Sequence, residues 1–349
     1  MPEKYLFLQC RNLGDAIIST GLINSLGKSF PETSIHIFTK YSFRAIFENN
    51  PYIERVSYAN FPMGAPKGLG VKSCLSLLKR ICELRKTSYS VCLNREGDFR
   101  ENLIGRLVNP DKNISVLWCG NHVYNNMIRK GLLSLVDQAI NIPEEVVNVY
   151  SANDYVARQL GCTQIVPPKI FLNKELTQKT CLDDENIIAV HPGASNKCRL
   201  WSVNKWTKLI RVLISQGFNV WIFCAPSEKM MLQRAFCEFM DKKSVVLKAT
   251  DLDEFFVNLS FARLLIGLDS FSVHAAYALN VPVIVLNGAN DYRLFRPPKA
   301  NVIVKQDVCR YYPCYNKPKC LCSKFEYICI NSIEVDDVLA AVEKLKGSP

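Results

Sequence analysis

Asp15 stands where a short apolar strand, Tyr5–Gln9, and a loop, Cys10–Gly14, give way to the helical segment Ala16-Ile17-Ile18-Ser19-Thr20. Aspartate is a favoured N-cap, because its oxygen accepts the orphan N–H bonds of a first turn. The position also lies beyond the carboxyl end of a strand, where an open α/β sheet binds its ligand. Phosphates commonly fill such helix N-termini; here a fixed negative charge takes that place. Two roles stand open for Asp15: a plain cap, or a carboxylate kept ionised to act as general base. The second role is worth about 10²–10⁴-fold in rate.

The second half carries the complementary charge. After an apolar strand at Ile187–His191 comes Pro192-Gly193-Ala194-Ser195-Asn196-Lys197-Cys198-Arg199. Small residues let the backbone approach a ligand closely, and Lys197 and Arg199 put positive charge beside them. After a strand at Leu264–Gly267 comes Asp269-Ser270-Phe271-Ser272-Val273-His274, which opens a helix. Unpaired N–H groups and the positive dipole end of that helix suit a diphosphate, with Ser270 and Ser272 as hydroxyl donors. Structural roles compete at each site: Asp269 and Ser270 are plausible caps, and His274 a buried histidine on a backbone carbonyl. No Asp-x-Asp stands at a strand end to hold a divalent ion; Asp183-Asp184 lies in a polar loop.

A third cluster is made of thiols. Five of the 15 cysteines crowd into Cys309-x4-Cys314-x5-Cys320-x-Cys322-x6-Cys329. Thiolates in this number can close a zinc or iron site, though the spacings are not those of zinc ribbons. Reduced thiols in a compact loop and a disulfide are the other two readings.

Short β runs alternating with helical periods must position these residues, which implies βαβ units and a parallel sheet. Strands are expected at Tyr5–Gln9, Ser34–Thr39, Arg55–Tyr58, Tyr89–Leu93 and Ile114–Leu117, with helices at 15–29, 42–48, 70–86 and 99–108. Helical candidates at 122–135 and 145–160 follow with no clear strand between them. Residues 161–176, with Pro167-Pro168, break the pattern and read as a linker. The alternation then restarts, with helices expected at 203–216, 227–240, 251–262 and 271–279 among strands at 187–191, 218–224, 245–247, 264–267 and 281–286. Two doubly wound α/β domains with a cleft between them follow from this.

With 48% hydrophobic and 21% charged residues the chain has the composition of a folded soluble protein. No run reaches the roughly 20 apolar residues that span a bilayer. Met-Pro-Glu-Lys leads straight into a strand, so the reading is cytosolic, without a secretory signal. The formal charge of +11 suggests an acidic partner. Nucleic acid is set aside, since no aromatic-interleaved basic patch occurs. Lys67, Lys72, Lys79, Arg80, Arg85 and Lys86 overlap an apolar period at Val71, Leu75, Leu78, Ile81, Cys82 and Leu84. That pattern fits either a basic helix lying on a membrane surface or a solvated outer helix packed by its other face.

In order and combination these stretches resemble glycosyltransferase family nine, the ADP-heptose:lipopolysaccharide heptosyltransferases. The resemblance rests on Arg11-Asn12-Leu13-Gly14-Asp15-Ala16-Ile17 with Phe30-Pro31 and Asn50-Pro51-Tyr52-Ile53-Glu54-Arg55-Val56. It continues in His191-Pro192-Gly193-Ala194-Ser195 with Arg199-Leu200-Trp201 and Trp206, and in Gly267-Leu268-Asp269-Ser270 with His274-Ala275-Ala276 and Ala278-Leu279-Asn280-Val281-Pro282. The cysteine tail into Ile328-Cys329-Ile330 completes it. The resemblance implies a GT-B fold: two Rossmann-like domains facing across a cleft, residues 1–165 for the acceptor and 166–349 for a nucleotide-sugar donor. It implies an inverting, metal-independent transferase with Asp15 as the base toward an acceptor hydroxyl.

On the donor side the resemblance places Arg199, with Lys197, at the phosphates. Ala194, Ser195, Asp269, Ser270, Phe271, Ser272 and His274 would cradle the diphosphate, Glu228 reach the ribose and Thr250 lie near the adenine. Arg11, Asn12 and the strand-end loop with Arg95, Asp98 and Arg100 fall to the acceptor, an anionic glycolipid or glycan, with surface salt-bridging the other role open to Arg95 and Arg100. This places the protein in the cytoplasm, peripheral at the inner face of the membrane. No cofactor is implied for catalysis, and a structural zinc or iron in the tail is the one metal the resemblance suggests. Phe271 replaces a usual glycine and Leu200 a usual basic residue, so the sugar stays open. Another nucleotide sugar, a protein acceptor, or a noncatalytic nucleotide-sugar-binding homologue are the alternatives.

Overall fold

Apolar runs too short for helices become strands in two parallel sheets, each wound on both sides by helices. The computed structural model describes residues 3–61, 70–118, 133–179, 186–315, 318–321, 323 and 326–346. These form two compact units, Met1–Phe171 and Leu172–Pro349.

The first unit contains β1 (Lys4–Gln9), β2 (Ser34–Thr39), β3 (Arg55–Tyr58), β4 (Val91–Asn94), β5 (Lys112–Trp118) and β6 (Gln138–Ile142). Their order is β3-β2-β1-β4-β5-β6, every neighbouring pair parallel. β4 is buried along its length and β1 and β2 at all but their first residue, as expected of strands covered on both faces. The Leu13–Ser29 helix is buried from Ala16 to Gly27. On one side Leu6, Leu8, Phe38 and Cys92 meet Ile81 and Leu84 of the Val71–Arg85 helix and Ile104 of the Phe99–Val108 helix.

The second unit contains β7 (Ile187–His191), β8 (Asn219–Cys224), β9 (Val245–Ala249), β10 (Leu264–Leu268), β11 (Val283–Asn287) and β12 (Asn301–Val304). The order is β12-β11-β10-β7-β8-β9, again all parallel. Its core joins Val190, Ile222, Ile266 and Leu286 of the sheet to Trp206, Leu209 and Leu213 of the Val203–Ser215 helix and Val338 and Val342 of the Val335–Lys346 helix. Trp201 stands edge-on to Trp206 at 5.0 Å and donates its ring N–H to the Ile333 carbonyl at 2.9 Å.

Several elements differ from the sequence reading. The helix expected at 227–240 is shorter, Lys229–Ala235, between 3₁₀ turns at Pro226–Glu228 and Cys237–Phe239. Of the helix expected at 122–135, only the 3₁₀ turn Leu133–Leu135 falls within the described residues. The proline-containing stretch before residue 172 is extended, and helix hydroxyls satisfy its backbone. The Gln164, Val166 and Lys169 N–H groups donate to Ser29 Oγ (2.9 Å), Ser25 Oγ (3.0 Å) and Thr20 Oγ1 (3.1 Å) of the Leu13–Ser29 helix. Residues 166–171 are thereby tied to the first unit.

Candidate functional site

In each sheet the chain reverses its direction of winding once, and ligands of open α/β sheets bind beyond the strand ends at that point. In the first sheet the reversal falls between β1 and β4; in the second, between β7 and β10.

At the first reversal point Asn12, with an extended backbone (φ −116°, ψ 157°), starts the helix, so Asp15 is not its cap. Asp15 lies in the first turn, half-exposed, and its Oδ2 accepts from the Asn12 side-chain amide at 2.8 Å. The sequence misplaced the start because Leu13-Gly14 reads as loop, whereas the first intrahelical bond already runs from Ala16 N–H to the Asn12 carbonyl at 3.1 Å. The carboxylate therefore does not cap the helix.

The loop after β4 is held by Asn94. Its Oδ1 accepts from the Glu96 and Gly97 N–H groups (3.0 and 3.1 Å), and its amide donates to the Asp98 carbonyl (2.9 Å). Gly97 sits at φ +64°, and a Cβ there would lie 2.3 Å from the Val116 carbonyl oxygen, so the turn requires glycine. Arg95 is buried, ion-paired with Glu96 and hydrogen-bonded to Asn153. Its burial removes it from direct surface contact with an acceptor. Asp98 caps the Phe99–Val108 helix by accepting from Arg100 N–H at 2.9 Å, and it also holds the Arg100 guanidinium through two bonds of 2.9 and 2.8 Å. Arg11 approaches Glu96 at 3.9 Å, linking the β1 and β4 loops. Glu96 and Glu101, both buried carboxyls unmarked by the sequence reading, have their pKa values raised by burial, and the Asp15 charge adds to both shifts.

At the second reversal point the loop after β7 ends in the 3₁₀ turn Lys197–Arg199, capped by Asn196 Oδ1 accepting from Cys198 N–H (3.2 Å). Ser195 and Lys197 are exposed, and Ala194 is half-buried. Arg199 donates from Nη1 to the Asp269 carbonyl at 3.0 Å, joining the β7 and β10 loops. The Asp269 carboxylate is buried and accepts from Asn290, a residue the sequence reading did not single out. Ser270 precedes the Phe271–Ala278 helix without capping it; its hydroxyl pairs with Ser272 at 3.0 Å. Ser272 and His274 are buried in that helix's first turns. The Phe271 ring lies against His191 (5.4 Å) and Phe255 (5.2 Å), beside the end of β7.

Glu228, after β8, accepts from Ala225 N–H at 2.9 Å, and its other oxygen would stand 3.5 Å from a Cβ on Gly193. It therefore faces the His191–Gly193 turn. Burial pushes His191 down to about 4 against the opposing pull of Glu228, so its imidazole is neutral at neutral pH. Thr250, after β9, has a buried hydroxyl with no hydrogen-bond partner among the described residues. All the donor-side residues expected from sequence thus follow β7, β8, β9 or β10, on one edge of one sheet. All those expected for an acceptor, and Asp15, follow β1 or β4.

The tail brings Cys314 and Cys320 near Cys198. Cys198 Sγ donates to the Tyr315 carbonyl at 3.4 Å, and Cys320 Sγ accepts from Tyr327 N–H at 3.4 Å. Burial raises the Cys314 pKa, helped by Cys198, Cys320 and Cys309; burial likewise takes Cys329 to about 12. Yet among the described residues no group of three His, Cys, Asp or Glu side chains is placed to hold a metal ion, and Cys322 lies outside those residues.

Two parallel sheets, each with a polar cluster at its reversal point, are the architecture of GT-B glycosyltransferases. The family model Glycosyltransferase family 9 (heptosyltransferase) matches residues 78–324. The chain belongs to that family and is a glycosyltransferase. It is 25% identical over 342 residues to lipopolysaccharide heptosyltransferase 3 of Escherichia coli K12, covering 95% of each chain. The structure of E. coli heptosyltransferase WaaC with ADP-2-deoxy-2-fluoro heptose shares the fold at a TM-score of 0.76 and 14% identity, over 98% of this chain and 99% of that one. The iron-containing dodecameric glycosyltransferase TibC of enterotoxigenic E. coli H10407 shares it at 0.58 and 13%, over 99% of this chain and 76% of that one.

Proposed function

We propose that this glycosyltransferase moves a heptose from ADP-heptose to a lipopolysaccharide-core or similar anionic glycan, with inversion and without a catalytic metal, in the cytoplasm. The observation that carries the reading is the opposite chemistry of the two reversal points. One presents a half-exposed carboxylate that does not cap its helix. The other presents Lys197, Arg199 and a helix start without a side-chain cap. Asp15 takes the proton of the acceptor hydroxyl as that oxygen bonds to the anomeric carbon. The bond from that carbon to the diphosphate breaks on the opposite face, and the nucleoside diphosphate leaves with the electron pair. Preorganised donors at the leaving group supply the electrostatic stabilisation: the Lys197 and Arg199 cations, the Ser270 hydroxyl and the first-turn N–H groups of the Phe271–Ala278 helix. Thr250, with a buried hydroxyl unpaired among the described residues, suits the base side of the nucleotide, and Glu228 its ribose. Arg11, Asn12 and Arg100 are left for the acceptor, with Arg95 and Asp98 shaping their loop. A metal in the cysteine tail is no part of this reaction.

Thermal shift with ADP, UDP, GDP and CMP tests the donor. ADP at about 100 times its Kd should stabilise by about 2.7 kcal/mol, while the others leave the midpoint unmoved; a shift with UDP alone would replace the donor. Asp15→Ala should abolish transfer and keep the ADP shift. Loss of that shift in Asp15→Ala would make Asp15 structural.

A further inference from the structure

The Val71–Arg85 helix needs only one of its faces to fold. Leu77, Ile81 and Leu84 pack on the first unit's core. A second apolar stripe, Val71, Leu75, Leu78 and Cys82, recurs at spacings of four, three and four residues and points outward. Val71 is 77% exposed, Leu75 61% and Leu78 49%. The next helix, Phe99–Val108, does the same: Phe99, Leu103 and Leu107 fall on one stripe and are 37%, 44% and 39% exposed. The two helices pack against each other. Both join strands stepping in the same direction across the sheet, β3 to β4 and β4 to β5, so right-handed crossovers put them on one side. Single exposed leucines are ordinary, but two neighbouring stripes form a patch of the kind that marks an interaction surface.

Charge says what covers it. Lys72, Lys79 and Lys86 recur every seven residues, a row running alongside the exposed stripe. Arg80 and Arg85 add two cations, and Glu83, the one acid on the helix, is paired with Arg80 at 2.7 Å. An apolar stripe flanked by a lysine row is the pattern of a helix that lies in the interfacial plane of an anionic bilayer. A protein partner would call for acids matching this particular row; a bilayer supplies a continuous negative surface above hydrocarbon.

We propose that the outer face of the Val71–Arg85 and Phe99–Val108 helices docks on an anionic lipid bilayer, inserting Leu75, Leu78 and Leu103 beneath a lysine row at the headgroups. The proposal says where the glycolipid acceptor of the proposed function is met. It is tested without substrates, so its failure is distinct from failure of the nucleotide panel.

The test is flotation of the full chain with vesicles of phosphatidylcholine alone or mixed with about one-third phosphatidylglycerol, at low and high salt. Each basic residue near an anionic surface is worth about fivefold in partition. Binding should favour the anionic vesicles by about tenfold or more and fall with salt. Lys72→Glu/Lys79→Glu/Lys86→Glu should lower it by at least roughly 100-fold. Leu75→Ser/Leu78→Ser/Leu103→Ser should abolish what salt leaves behind, with circular dichroism and unfolding midpoint unchanged. Wild-type protein that stays off anionic vesicles at low salt overturns the proposal, as do variants that bind like wild type. A dimer in light scattering that the serine variant dissociates would assign the face to a second copy of this chain and overturn it equally.

Discussion

Asp15 and Glu101 belong to the same sheet edge and are built in opposite ways. Asp15 is half-exposed and takes a hydrogen bond from Asn12. Glu101 is fully buried, beside the Cys10 thiol. Burial raises the Glu101 pKa well above its ordinary value of 4.5, with Glu96, Asp98 and Asp15 adding to the shift and Arg11 opposing it. Folding therefore puts a proton on Glu101 at any pH between 4.5 and the raised folded value. The stabilisation linked to that group is fully present below 4.5 and lost as pH rises. Glu101→Gln keeps the shape and removes the titration. It should raise stability at pH 8, and the gain should shrink to nothing as pH falls toward 4.5. Urea midpoints across that range check it; a gain independent of pH would mean that packing, not protonation, sets the difference. The sequence shows Glu101 only as one acid in an exposed-looking Phe-Arg-Glu-Asn run, because its burial depends on the helix's rotation against β4.

At the scale of elements, part of what resembles a functional motif is packing. Asn50-Pro51-Tyr52 is a turn docked on the Leu13–Ser29 helix. Asn50 donates from its amide to Asn24 Oδ1 at 2.7 Å, and Tyr52 covers Gly27, where an added Cβ would lie 2.7 Å from the tyrosine Cβ. Alanine is the better helix former by about 1 kcal/mol, but overpacking a fixed Cβ costs about 1–3 kcal/mol. Gly27→Ala should therefore lose up to roughly 2 kcal/mol in urea unfolding; a more stable variant would show that the turn yields freely. The same distinction decides what was legible. β1, β7, β8 and β10 are legible because burial on both faces writes nearly continuous apolar runs. β6 was missed because Gln138-Ala-Ile-Asn-Ile is an edge strand with an exposed asparagine inside it. The Asp15 and Asp269 turns were found because small, polar and charged residues after an apolar run have a local signature. Asn290 and the buried Glu101 have no such signature, because what surrounds them is set by chain far away in sequence.

The whole chain repeats one design twice. The restart of the strand–helix alternation after Pro167-Pro168 already marked two bodies, and each proves to own a sheet and a core. Among the described residues, the core around Leu6, Phe38 and Cys92 draws only on the first unit, and that around Trp206, Ile266 and Val338 only on the second. A core that borrows nothing from the other body has its own cooperative melting, and two such bodies in one chain depart from two-state unfolding. Calorimetry should therefore resolve two transitions. A ligand raises only the transition of the unit that binds it. Because every residue proposed for the donor follows a strand of the second sheet, ADP should move one transition and leave the other in place. Asp15→Ala, in the first unit, should leave the ADP-sensitive transition where it is. A single transition with equal calorimetric and van't Hoff enthalpies would show the cores to be energetically one. ADP moving the transition that Gly27→Ala lowers would put the donor on the first sheet and reverse the assignment of the two reversal points.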